Sequence, residues 1–258
     1  PDDDRGTIFA WINPDVVNSH GGIFSAGYTG DTTTYFDFYL SSGAKLGMQQ
    51  REGSPAGGGV VGDTSLTAGA WQSVAVVSDG TAWALYVNGT AQSLTASGAP
   101  NTGEWFADTP NLNNITIGTL LRTSDTEEFD GRIMQVAYFG GSVADQGVLT
   151  AAQIAALHSA GKSHDLTTAT GVYTASEIDD LKGYWRMGNH YLDTPSDIYD
   201  ASGNGYDMHE QNGTAATHTF SGTGAGTFHN GWQDRGYFDS DKYTSLLIQS
   251  SHNEGNST

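Results

Sequence analysis

Between Trp71 and Gly89 the chain writes out a β-hairpin. Trp71-Gln-Ser-Val-Ala-Val-Val77 is a β-rich run that ends in Asp79-Gly80, and Thr81-Ala-Trp-Ala-Leu-Tyr-Val87 returns to Asn88-Gly89. Asp-Gly and Asn-Gly supply the positive φ angles that tight turns between antiparallel strands demand. This predicts a meander, with residues 91–95 as its third strand. The same grammar recurs elsewhere. Residues 33–40 alternate, with Phe36, Phe38 and Leu40 on one face and Tyr35, Asp37 and Tyr39 on the other. Residues 7–12 are apolar on both faces, as in a buried strand. Further strands are predicted at 114–120, 132–139, 183–187 and 243–249.

Two helices interrupt the pattern. Thr150 and Gln153 form a capping box for a helix over 150–160, with Ile154 and Leu157 as its apolar stripe and Gly161 as its stop. A shorter helix is predicted over 174–182, capped by Ser176 with Asp179 three residues on.

Charge narrows the partners. Asp+Glu number 29 against 10 Lys+Arg, a formal charge of −19, so the chain lacks the basic face that nucleic acid requires. An anionic membrane surface is disfavoured for the same reason, and no apolar run approaches the roughly 18–20 residues of a membrane span. With 0 Cys there is no disulfide, thiolate nucleophile or cysteine zinc site. With 35 Gly and 11% aromatics, the chain reads as a turn-rich, ordered β protein.

Several segments in order resemble the laminin-G-like branch of the concanavalin A-like lectin/glucanase superfamily. Thr7-Ile-Phe-Ala-Trp-Ile-Asn-Pro14 resembles its early "ISAWVKP" strand. Trp71 to Gly89 resembles its central hairpin, and Asn114-Ile-Thr-Ile-Gly118 its "hxIG" strand. Phe129-Asp-Gly-Arg-Ile133 with Leu149 to Leu157 resembles its closing strand and short helix. The resemblance implies an all-β fold, a two-sheet antiparallel jelly-roll sandwich with one or two short helices. Gly183-Tyr-Trp-Arg-Met-Gly188 followed by Asp200-Ala-Ser-Gly-Asn-Gly-Tyr-Asp207 is also family-like, but in the family it comes first. Its position here implies circular permutation. On that reading 1–258 is one domain, with 1–165 the main sandwich and 183–258 returning to complete it; the rival is a second, truncated domain.

The superfamily's glucanases use Glu-x-Asp-x-(x)-Glu on one strand, two carboxylates facing across a cleft. Glu128/Asp130 and Glu177/Asp179 match the first two positions and lack the third. No Gly-x-Ser-x-Gly elbow is present either. The chain is therefore expected not to be an enzyme. Its oxygen-rich loops suggest calcium instead. Asp200, Ser202 and Asn204 occupy positions 1, 3 and 5 of a calcium-loop-like run, with Asp207 to supply a further carboxylate. The alternative is an Asx-turn with glycines at positive φ. A second candidate is Asp125, Glu127 and Glu128, whose place matches a calcium-binding acidic loop in pentraxin-like relatives. A sugar site needs an aromatic platform with amides nearby. Trp105 with Asn111 and Asn113, and Trp232, are the candidates; a loop Trp anchored in the core is the alternative for each.

Similar arrangements resemble those in phage virion proteins, notably tail-fibre and capsid-associated proteins. That implies an extracellular or virion location and attachment to host glycans. The competing roles are a decoration or cement subunit without a sugar site, and a secreted bacterial adhesin module. A single sugar site is weak and linked sites gain about 10²–10⁴ in avidity, so a homo-oligomer or multi-copy array is expected.

Overall fold

The computed structural model describes residues 3–53, 57–98, 100–143, 145–187, 190, 192–194 and 197–209. The predicted strand at 243–249 and Trp232 lie outside the described residues. In chain order the first strands are β1 (Arg5–Pro14), β2 (Gly21–Gly27), β3 (Thr34–Leu40), β4 (Lys45–Glu52) and β5 (Gly57–Ser65). Then come β6 (Gln72–Ser78), β7 (Trp83–Val87), β8 (Thr90–Ala91), β9 (Thr95–Ala96) and β10 (Asn114–Ile117). The short β11 (Leu120–Leu121) and β12 (Asp125–Thr126) form a hairpin ahead of the long β13 (Gly131–Gly141). After helices α1 (Ala151–Ala160) and α2 (Ala175–Asp179) follow β14 (Leu181–Trp185), β15 (Asp197–Ile198) and β16 (Met208–His209).

Twelve of these strands make two six-stranded antiparallel sheets, and β15 and β16, like β11 and β12, form a separate pair. One large sheet runs β14-β13-β1-β6-β7-β8 and the other β10-β2-β3-β4-β5-β9, the layout of a jelly-roll sandwich. The hairpin read from Asp79-Gly80 is β6–β7, paired from Val74↔Val87 to Ser78↔Trp83. The alternation of residues 33–40 is β3, whose Phe36 and Phe38 are fully buried in the core between the sheets. Two expectations need correction. The third meander strand does not run through 91–95: only β8 pairs with β7, and β9 crosses to pair with β5 in the other sheet. The second helix, Ala175–Asp179, is shorter than the predicted 174–182, and its cap is not Ser176. Its N-cap is Thr174, whose backbone N–H donates to Glu177 Oε2 at 2.6 Å, and β14 begins at Leu181. The first helix is as read, with the Thr150–Gln153 capping box and Ile154 and Leu157 buried.

The family-like segment at 183–187 joins the main sandwich. β14 pairs with β13 at Val136↔Trp185 and Ala137↔Tyr184, making it the edge strand beside the longest strand of the sheet. Opposite it, β10 is the edge of the second sheet.

The outward face of β3 is covered. The β11–β12 hairpin and the residues after it fold over it, with Gly22 N–H donating to Glu127 O at 2.7 Å and Asn114 Nδ2 to Leu121 O at 3.3 Å. This approach depends on Gly27, where a Cβ would lie 1.9 Å from Leu121 O. Gly27→Ala is expected to push the hairpin off the sheet and cost about 1–3 kcal/mol, the usual cost of overpacking. Urea unfolding measures it; unchanged stability would mean that the hairpin does not pack as described.

Candidate functional site

The two edge strands leave the side of the sandwich open. Between them lies a groove of about 670 Å³. Asn113, Asn114 and Ile115 line it from β10 and the residue before it, and Lys182 and Trp185 from β14. Tyr206 and Asp207, directly ahead of β16, complete the lining. Tyr206 is 63% exposed, one of the few large apolar side chains of the described residues left open to water. Its carbonyl accepts the indole N–H of Trp185 at 2.7 Å, which fixes the turn against the edge strand. Asn113 is held by Thr29: its Oδ1 accepts Thr29 N–H at 3.2 Å and its Nδ2 donates to Thr29 Oγ1 at 2.9 Å. The groove thus combines an exposed aromatic ring with an amide, a carboxylate and an ammonium on ordered elements. Such a combination suits a polyhydroxylated ligand with apolar ring faces.

The proposed sugar residues do not stay together in space. Asn113 and Asp207 meet in this groove, although the sequence suggested them for different ligands. Asn111 is exposed at a positive φ of 60 and is not part of the lining. Trp105 as a sugar platform is a correction. It is fully buried, its ring centroid 4.9 Å from Phe36 and 5.5 Å from Phe106 in edge contacts, because a 0%-exposed indole belongs to the core. Trp232 lies outside the described residues. Sequence reasoning missed Tyr206 and Lys182. The available signal was an aromatic directly after Gly203-Asn204-Gly205, where a turn leaves its side chain unsupported by strand neighbours.

Asp200, Ser202, Asn204 and Asp207 form a bracket around the start of β14. Asp200, 0% exposed, accepts Tyr184 N–H and Ser202 N–H on Oδ1, each at 2.9 Å, and Tyr206 N–H on Oδ2 at 3.0 Å. Ser202 Oγ accepts Asn204 N–H, Asn204 Nδ2 donates to Leu181 O, and Asp207 Oδ1 accepts Asp200 N–H. Gly203 and Gly205 sit at φ 87 and 79. Oxygens that a calcium loop would turn on an ion are engaged by the backbone here. The geometry is that of an Asx-type turn.

The second acidic group divides. Glu127 turns away from its chain neighbours Asp125 and Glu128 at a positive φ of 57 and joins His20 and Asp37. His20 Nε2 lies 3.1 Å from Asp37 Oδ2 and 3.2 Å from Glu127 Oε2. Tyr39 stacks on the His20 ring at 4.1 Å. Burial pushes the Glu127 carboxyl up, with the Asp37 charge in the same direction. Burial alone would lower His20, but its hydrogen bond to Asp37 and the charges of Asp37 and Glu127 outweigh that and hold it above its usual value. The two shifts have different causes, burial for Glu127 and the neighbouring carboxylates for His20. None of the Glu-x-Asp residues lines the groove, and Glu177, inside α2, accepts the backbone N–H of the N-cap Thr174.

A jelly-roll sandwich with this strand order defines a class, and the comparisons place the chain in it. Residues 2–155 match the laminin-G-like family model described as concanavalin A-like lectin/glucanases superfamily, and the chain belongs to that family. Among curated proteins none matches it in sequence. Among solved structures it is similar to the CBM40 of the Ruminococcus gnavus IT-sialidase bound to α2,3-sialyllactose. The identity there is 18% and the TM-score 0.52, over 60% of this chain and 83% of that one. It is also similar to a Bacteroides ovatus protein suggested to bind carbohydrate, at 18% identity and TM-score 0.50, over 77% of this chain and 49% of that one. At such identities the likeness is one of fold. Among the described residues no helix is long and apolar enough to cross a membrane.

Proposed function

We propose that this chain is a non-catalytic, lectin-like module that binds glycans in the groove between β10 and β14. It would act outside the cell, attaching a phage tail fibre or capsid to host glycans. The observation that carries the reading is Tyr206, an exposed ring beside Asn113, Asp207 and Lys182 on an ordered scaffold. The CBM40 and Bacteroides ovatus structures, similar in fold, support a carbohydrate ligand. The virion setting rests on the motif order, in which the "YWRMG…SGNG"-type segment follows the laminin-G-like part. The pairing of β14 with β13 supports a single domain completed by its C-terminal part.

A glycan array with purified chain, run in calcium and again in EDTA, tests this. Specific binding is expected in both conditions, because the Asp200 turn is closed by its own backbone. Tyr206→Ala is expected to weaken binding about tenfold, equivalent to about 1.4 kcal/mol of lost ring contact. No glycan bound in either condition would overturn the reading and favour a decoration subunit. Binding lost only in EDTA would overturn its calcium-independent form.

A further inference from the structure

We propose that His20, Asp37 and Glu127 form a binding site for a first-row divalent transition metal of the zinc class, fastening the segment after β12 to the second sheet. None of the three lines the groove, so the inference is independent of the glycan reading.

Donors and acceptors are mismatched in this cluster. Nε2 of a histidine carries at most one proton, yet it faces two carboxylate oxygens, Asp37 Oδ2 at 3.1 Å and Glu127 Oε2 at 3.2 Å. The proton can serve Asp37. Glu127 Oε2 is buried and accepts no hydrogen bond. A cation in the place of that proton answers all three atoms, which lie within 4.8 Å of one another. The two separations from His20 Nε2, 3.1 and 3.2 Å, agree with this. A tetrahedral ion with bonds of about 2.0–2.1 Å holds its ligand atoms about 3.3 Å apart.

The ligand set selects the metal. Calcium takes six to eight oxygens at about 2.3–2.6 Å, whereas an imidazole with two carboxylates suits zinc and its neighbours. Three protein ligands leave a fourth position, and His20 and Glu127 are 31% and 23% exposed, so the ion has a path from solvent.

The ligands are also held by a surrounding shell, as metal sites require. Ser25 Oγ donates to Asp37 Oδ1 at 2.8 Å and Gln49 Nε2 to Asp37 Oδ2 at 3.1 Å. Arg122 lies 3.4 Å from Glu127 Oε1, and Tyr39 stacks on the His20 ring. The three ligands precede β2, sit in the middle of β3 and follow β12. One ion would therefore cross-link three separate parts of the chain around the covered face of β3.

The test is isothermal titration of the metal-stripped, tag-free chain with Zn²⁺ alone, together with Tm with and without the ion. The expected result is one tight equivalent and a higher Tm. His20→Ala and Glu127→Gln, both at partly exposed positions, should each weaken that equivalent by more than about 100-fold, beyond the usual outer-shell effect. His164→Ala, at a partly buried histidine outside the cluster, should leave it intact. Three results would overturn the proposal: no stoichiometric Zn²⁺ uptake, uptake that persists in both variants, or uptake of Ca²⁺ in preference to Zn²⁺. The first of these would mean that the cluster is held by a shared proton only.

Discussion

Asp200→Ala is expected to lower the stability of the fold by about 3 kcal/mol or more, and by the same amount in calcium and in EDTA. The Asp200 carboxylate is fully buried and accepts three backbone N–H groups, from Tyr184, Ser202 and Tyr206. Removing it strands one buried donor, on Tyr184, and two part-buried ones, on Ser202 and Tyr206; a buried donor costs about 1–3 kcal/mol and the other two are partly relieved by water. The damage falls on β14, because Tyr184 lies within it, and on the lining of the groove through Tyr206. Asp200→Asn keeps one acceptor and should lose less. Urea unfolding of both variants in the two buffers decides the matter. A loss seen in calcium alone would contradict the hydrogen-bonded turn and restore the ion to this loop.

Trp105→Ala is expected to cost about 3–5 kcal/mol, the range for deleting a large aromatic from a packed core. The indole is 0% exposed and packs edge-on against Phe36 and Phe106, and Phe106 in turn stacks on Phe36 with centroids 4.5 Å apart. The cavity left behind would be walled by rings that cannot collapse without leaving Phe24 and Tyr138. Guanidinium unfolding should show a lower midpoint with an unchanged slope. A variant with wild-type stability and reduced sugar affinity would contradict the core role and return Trp105 to the binding site.

What could be read directly from the residues was whatever depends on short-range pattern. The Trp71–Val87 hairpin, the alternation in β3 and the Thr150–Gln153 cap each declare themselves within ten or so residues, where turn chemistry and periodicity act. Strands β2, β4 and β5 were not legible. Gly57-Gly-Gly-Val-Val-Gly62 has too few side chains to alternate, and Lys45–Glu52 mixes Met48 and Gln50 on one buried face. Asp37 was placed correctly on the face opposite Phe36 and Phe38, yet it is fully buried. The cover over it comes from residues about 90 positions away, and local pattern carries no record of that.

The candidate site follows the same division. Asn113 and Asp207 were visible as polar loop residues, but their meeting requires β10 and β14 to be the facing edges of two sheets. Trp105 was misleading because it lies in a long loop with Gly103, Glu104 and Asp108 around it, while its side chain and that of Phe106 reach back into the core. His20 stands alone in the sequence and acquires partners only through residues 17 and 107 positions further on.

The central claim is that the groove at the open side of the sandwich holds a glycan. The most direct measurement is a crystal structure of the chain with a glycan that it binds on the array. The account predicts a sugar ring lying on Tyr206, with its hydroxyls bonded to Asn113, Asp207 or Lys182. A sugar seated elsewhere, such as over the covered face of β3 after displacement of the β11–β12 hairpin, would contradict it.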